Sequence, residues 1–425
     1  MTRRPLTLRR VLPIALAAAL PLALAPQALA GQRRPPSSPS GHWPGGGYTS
    51  HACPAPQQLV KDTTWTRHNL APGVTLSEGT ATDKTVYGTS GQVNMHVLRI
   101  DTTNANLRFA PLVDHFAQRT PLSELAAGNP HLVAATNTGF FDFDEDAPLG
   151  PVYANGHPTS IGAVPEPVIG LTASNQIEQG NVSLVGTVTA ARKSIAVAGV
   201  NYLSSKRGLS IYTSAWGSRA VPFAPRHSNS DLGVIVRDGR TVSRAGLHNH
   251  APASGELLVA SSPGTEAWMR RLPTGTDVVQ DLRIRTTTPQ PMVQAYSVGS
   301  PLVLHAGKVD TSLGCDERDT QAARTAIGYT AGGKQLVIVV VADDPGTALH
   351  GLDHKEMSKL LVDLGVAKAW QWDGSGSSEM IARIGGTLSI RNYCADGQER
   401  PMPVGFGIYN YPAKSPKPSK KNHKR

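Results

Sequence analysis

The sequence predicts an α+β chain: a mixed β-sheet core with few helices and a strand–helix–strand active-site segment. Three observations predict it. Between Leu59 and Tyr411 the apolar residues fall mostly in short runs of strand length, separated by turn residues. Helical periodicity is strong in only one place, after Asp353. That helix lies between two strands, each of which ends in an aspartate, Asp343 and Asp373.

The N-terminus reads as an export signal. Arg3, Arg4, Arg9 and Arg10 precede an apolar run from Val11 to Leu24, and Ala28-Leu29-Ala30 supplies small residues for cleavage, so residues 1–30 read as a signal peptide. The apolar run is too short, and too interrupted by proline, to read as a membrane span. Arg9-Arg10-Val11-Leu12 leaves both the general secretory route and a twin-arginine route open. Residues 31–58 are rich in Pro, Gly and Ser and read as a linker. Residues 59–411 have globular composition, and 412–425 form a basic tail.

Within residues 59–411, Val93–Ile100, Leu132–Thr136, Leu209–Thr213 and Gly233–Arg237 read as strands, the last followed by the turn Asp238-Gly239. A weak helix is expected over Leu122–Ala127. Gln335–Val341 is nearly all apolar, as in a strand buried on both faces. Asp353 and Glu356 have capping-box spacing; Met357, Leu360, Leu361 and Leu364 make one apolar face, and Gly365 is a natural stop. Two strands joined by a helix in one sheet normally run parallel, so Asp343 and Asp373 should reach the same edge.

The net charge of +10 comes from the termini. Residues 1–58 hold six arginines and no acid, and residues 411–425 five lysines and one arginine and no acid, leaving about −2 for the middle. The folded part is therefore not a nucleic-acid binder, and no later segment is long and apolar enough to cross a membrane. Of Cys53, Cys315 and Cys394, export permits one disulfide, and Cys315–Cys394 is the preferred pair because both lie in the folded region.

Four clusters could carry chemistry. Asn137-Thr138-Gly139-Phe140-Phe141 follows a strand and suits either a binding wall or an ordinary turn with a hydrophobic anchor. Arg324-Thr325-Ala326-Ile327-Gly328 offers a guanidinium fork for phosphate or carboxylate, or a structural ion pair. Asp343-Asp344-Pro345 is a cation or water site, or simply a loop start. Asp373-Gly374-Ser375-Gly376-Ser377-Ser378 offers backbone amides and hydroxyls to an anion beside a carboxylate. It only loosely mimics a nucleophile elbow, so a serine-hydrolase reading fails. His227, His248 and His250 could supply a base, and His248-Asn249-His250 reads as a polar loop rather than a metal site.

In this order the clusters resemble the phosphodiester glycosidase family, which carries Asn-Gly-Gly-Phe-Phe, Arg-Thr-Ala-Ile-Gly and Asp-Gly-Gly-Gly-Ser-Ser segments. Gly299-Ser300-Pro301-Leu302-Val303, and Ala198–Asn201 with Leu209–Thr213, add smaller echoes. The resemblance spans roughly residues 72–409. Thr138 and Ser375 stand where the family has glycine, and Asp343-Asp344-Pro345 where it often has Asp-Gly-Arg.

The resemblance implies an exported hydrolase that cleaves the glycosidic bond of a sugar-1-phosphodiester, acting on a glycosyl-phosphate or cell-wall polymer. It implies Asp373 as the carboxylate at the anomeric carbon, Asp343 as a second carboxylate, and Arg324 at the phosphate. Gly374, Gly376, Ser377 and Ser378 would bind substrate through amides and hydroxyls, with Asn137 and Thr325 at sugar hydroxyls. The sequence fixes neither a metal nor a cofactor; a divalent cation at the carboxylates stays open. Two alternatives stand beside it: a non-catalytic glycan or wall binder, and a metal-dependent phosphodiesterase. Oligomeric state is not legible.

Overall fold

The computed structural model describes residues 59–61, 63–84, 90–203, 208–222, 233–244, 250–260, 262–304, 307–309, 321–344 and 347–412, all within the compact unit Ser50–Arg425. The signal and linker segments, the basic tail, His227, His248, Cys53 and Cys315 lie outside the described residues. Cys394 is a half-buried free thiol.

The fold is mostly β. The described residues contain three larger sheets of seven, eleven and five strands, a two-stranded ribbon, and three α-helices. Every pairing in the seven-stranded sheet is antiparallel; the eleven-stranded sheet is mixed, with one parallel pair between Lys193–Val200 and Leu209–Thr213.

The seven-stranded sheet positions the aspartates. Its centre runs Ser90–Asp101, Gln335–Val341, Arg324–Thr330, Val366–Trp372. Gln335–Val341 and Val366–Trp372 both pair antiparallel with Arg324–Thr330, so they run parallel to each other with that strand between them. Their carboxyl ends therefore share one edge, as the strand–helix–strand pattern predicts. The intervening strand begins at that edge, with Arg324 opposite Val341 and Thr325 opposite Trp372. This register brings three sequence clusters together.

Gln335–Val341 is apolar throughout because both its faces are covered. Leu336, Ile338 and Val340 join the main core with Trp372, Tyr296 and Phe406, while Val337, Val339 and Val341 pack with Met357, Leu360 and Leu361. Those three come from the helix His354–Asp363. Both halves of its capping box form: Asp353 accepts from Glu356 N–H at 2.7 Å, and Glu356 accepts from Asp353 N–H at 2.9 Å. Gly365, at φ +79°, ends it in a conformation that costs glycine little.

The five-stranded sheet runs Thr387–Ile390, Met380–Ile384, Leu132–Asn137, Gly405–Asn410, Leu107–Leu112. The expected weak helix is the short turn Leu122–Ala126, which buries Leu122 and Ala126 against this sheet. The eleven-stranded sheet carries a core of its own, centred on Tyr153, Ile161, Leu209, Leu258 and Trp268.

Candidate functional site

The site is assembled where the seven- and five-stranded sheets meet. Asn137 ends its strand fully buried between them. Its Nδ2 donates to the Asp373 carbonyl at 2.8 Å, and its Oδ1 accepts from the Thr325 hydroxyl at 2.9 Å and from Glu379 N–H at 3.2 Å. Asp373 N–H donates to the Thr138 carbonyl at 2.9 Å, and Thr325 Oγ1 shares a hydrogen bond with Ser378 Oγ at 3.1 Å. Three segments remote in sequence are thus tied at one point, because buried polar groups must find partners. Asn137, Thr325 and Ser378 supply the ties.

Asp373 leaves this knot partly buried. Its Oδ1 accepts from Gly374 N–H at 2.9 Å. Burial raises its carboxyl to about 6, against the pull of the Ser377 hydroxyl, the Gly374 amide and the charge of Arg400. Ser377 is buried and takes a hydrogen bond from Arg400 Nη1 at 3.3 Å. Arg400 is held by Asp396, with Nε at 2.8 Å from Oδ2 and Nη2 at 3.1 Å from Oδ1. Its guanidinium also sits 5.6 Å from the centre of the Phe143 ring. Gly376 must be glycine for this arrangement, because a Cβ there would collide with Asp396 and Arg400. A cavity of about 10 Å³ lies beneath Asp373, lined among others by Asn137, Gly139, Ser377, Pro403 and Val404; it has room for roughly one water.

The two departures from the family pattern have distinct structural consequences. Ser375 sits exposed at φ +53°, in the left-handed region where glycine rests without strain. Thr138 is buried and donates from Oγ1 to the Val404 carbonyl at 3.0 Å, fixing the segment that lines the cavity.

Arg324 and Asp343 belong to the other half of the edge. Arg324 Nε donates to the Leu352 carbonyl at 2.8 Å, and Nη1 lies 3.4 Å from His354 Nε2. Its Cδ would lie 4.0 Å from a Cβ at Gly374, so the side chain passes beside the Asp373 loop on its way to the helix start. Asp343 Oδ1 accepts from Gly351 N–H at 3.2 Å. Burial raises its pKa, opposed by that amide and by the charges of His350 and Arg324. Asp344 is absorbed into the loop, bonding backbone to backbone with Leu349 at 3.1 Å. Among the described residues no three His, Cys, Asp or Glu side chains gather as a metal site.

Arg400 was invisible to sequence reading. Its spacing from Asp396 is an i, i+4 pair outside any helix, with no motif to announce it. Glu379 likewise carries no sequence signal. It is fully buried beside Glu399; burial first, then that neighbour, pushes it up to about 9, making it a neutral acid at neutral pH. Burial would also raise Glu399, but hydrogen bonds from Glu379 and Ser123 hold it below the ordinary range; Ser123 donates through N–H at 2.9 Å and its hydroxyl at 2.6 Å.

Comparison with known proteins finds the fold among solved structures and a family model over part of the chain. A protein from Synechocystis has the same fold, with a TM-score of 0.63 and 20% identity over 82% of this chain; the chain spans only 64% of that protein's length. A Burkholderia pseudomallei protein described as exported matches with a TM-score of 0.65 and 15% identity, over 85% of this chain and 99% of its own. The zebrafish N-acetylglucosamine-1-phosphodiester alpha-N-acetylglucosaminidase catalytic domain, auto-inhibited by its pro-peptide, matches at 0.44 and 15% identity, over 85% of this chain and 96% of its own. No curated protein sequence gives a significant match. The family model for phosphodiester glycosidases matches residues 215–409, which hold the Arg324 and Asp373 segments. Over that stretch the chain is similar to the phosphodiester glycosidases.

Proposed function

We propose that the protein is an exported hydrolase that cleaves the glycosidic bond of a sugar-1-phosphodiester, releasing free sugar and a phosphomonoester. The observation that carries this reading is Asp373: a carboxyl raised to about 6, joined through Ser377 to Arg400, in a segment matching a phosphodiester glycosidase family. A base poised near the working pH combines a useful ionised fraction with proton affinity. Asp373 takes the proton of the attacking water or attacks the anomeric carbon itself. A phosphodiester leaving group departs as an anion and needs little protonation. Arg400, with the Gly376 amide, offsets the charge that develops on it.

In this scheme Asn137, Thr325 and Ser378 position the Asp373 loop through their mutual hydrogen bonds. Arg324 and Asp343 act from the adjoining half of the edge, Arg324 by holding the helix start beside the loop. Export rests on the N-terminal signal pattern; among the described residues no helix is long and apolar enough to cross a membrane. The test is release of reducing sugar from an α-N-acetylglucosamine-1-phosphodiester by the secreted chain. Turnover that persists in Asp373→Asn would refute the site. One observation favours the alternative of a non-catalytic glycan binder: the cavity at Asp373 has space for a water but not for a sugar ring. That reading requires saturable glycan binding with no sugar released.

A further inference from the structure

A second, much larger concavity adjoins the site. It is an open surface depression of about 660 Å³, lined by residues that include Arg119, Asp146, Ser218, Arg219 and Pro401. Pro401 is followed directly by Met402 and Pro403, which line the Asp373 cavity, so one stretch of chain contributes to both hollows. The aromatic ring of Phe143 links them again. Arg119, from the groove, lies 5.5 Å from its centre, and Arg400, from the Asp373 side, 5.6 Å.

The groove is built on ordered backbone. Phe116 and Ala117 N–H donate to the Ala215 and Trp216 carbonyls at 2.8 and 2.9 Å, and Thr120 and Met402 exchange two backbone hydrogen bonds at 3.0 Å each. Arg119 Nε lies 2.5 Å from Asp146 Oδ1, and Arg219 pairs with the other oxygen of the same carboxylate. Arg219 also lies 3.8 Å from Glu145 and donates to the Asp144 carbonyl.

The charges decide what such a groove can hold. Two guanidinium groups face two carboxylates, so the local sum is close to zero and a phosphate would find its arginines already paired. Each guanidinium still has more N–H donors than these partners use, and each carboxylate more lone pairs. Fixed donors beside fixed acceptors suit the adjacent hydroxyls of a sugar.

We infer that the Arg119–Arg219 groove is a glycan subsite that takes neutral sugar residues of an oligosaccharide or polymer whose reactive end lies at Asp373. The placement of the reactive end rests on the hydrolase reading; the binding of sugar in the groove does not. The substrate is then a chain of sugars rather than a lone sugar phosphodiester.

Calorimetric titration with the monomer and the tetramer of N-acetylglucosamine tests this. The tetramer is expected to bind the wild type at least tenfold tighter than the monomer, and inorganic phosphate not to displace it. Arg219→Ala should lower tetramer affinity at least tenfold. Since that change also removes ion pairs, Ser218→Trp provides a second arm: it fills the groove from an exposed position, keeps the pairs, and should cause a similar loss. A tetramer that binds no tighter than the monomer, that phosphate displaces, or that ignores Ser218→Trp overturns the subsite. Sugar release from a small phosphodiester separates the two proposals. If release is absent while groove-dependent tetramer binding holds, only the hydrolase reading fails; if release is present but Ser218→Trp leaves tetramer binding unchanged, only the subsite fails.

Discussion

Asp343 and Asp373 follow parallel strands of one sheet and reach the same edge, yet their surroundings differ. Asp343 bonds to the amide of its own returning loop and sees the charges of His350 and Arg324. Asp373 is tied by its backbone to a second sheet, accepts from Ser377, and feels an arginine brought in from the far C-terminal segment. Position on a sheet edge is therefore shared, and chemistry is set by what packs across it. The five-stranded sheet covers Asp373; a loop from its own sheet covers Asp343.

Exchanging each carboxylate for its amide probes that contrast most strongly. Asp373→Asn should lower kcat/KM by about 10²–10⁴-fold, the usual worth of a positioned acid or base, while Asp343→Asn should cost several-fold at most. Asp373→Asn should also melt higher. A folded-state value near 6 against an ordinary 3.8 means the carboxylate opposes folding above that window, by on the order of 1–3 kcal/mol. Equal losses from the two variants would dissolve the distinction between the two ends.

Arg400→Ala comes next, with an expected loss of about 10²-fold from a missing donor at developing charge. The same change removes a positive charge from Asp373, so its pKa should rise. Activity that climbs with pH through about 6 in the wild type should then climb at higher pH. An unshifted acid limb would separate Arg400 from Asp373.

The sequence made local devices plain and left convergence hidden. Asp353 and Glu356 announced their helix because a capping box is encoded within four residues, and the run Gln335–Val341 announced a doubly covered strand because burial on both faces leaves no polar alternation. The shared edge followed from the parallel course of two strands joined by a helix. What did not follow was the strand Arg324–Thr330 inserted between the two, or the buried tie between Asn137 and Thr325, since hydrogen bonds across 188 residues leave no spacing to read. Arg400 arrives on a loop without periodicity. Thr138, a departure from glycine in its cluster, takes its structural role from the Val404 carbonyl.

A smaller effect concerns Glu379, on the covered side of the site. A carboxyl held near 9 when folded and near 4.5 when unfolded keeps its proton only in the folded chain between those values. Stability from this group is full below the lower value and falls as pH rises toward the upper one. Glu379→Gln should flatten that decline and stabilise the protein at pH 8 by on the order of 2–3 kcal/mol. Denaturant midpoints from pH 5 to 9 measure it, and parallel slopes in the two proteins would argue against a neutral acid at this position. Ser375→Gly is the smallest change. Relief of the left-handed backbone, less the extra entropy of glycine in the unfolded chain, should raise stability by about 0.5–1 kcal/mol; a lower melting temperature would mean that the serine side chain contributes more than its backbone costs.

The central claim is that water attacks the sugar carbon under the control of Asp373. Hydrolysis of an α-N-acetylglucosamine-1-phosphodiester in oxygen-18 water tests it most directly. The account predicts label in the released sugar, none in the phosphate, and no release by Asp373→Asn. Label in the phosphate, or label in the sugar at an undiminished rate in Asp373→Asn, would contradict it.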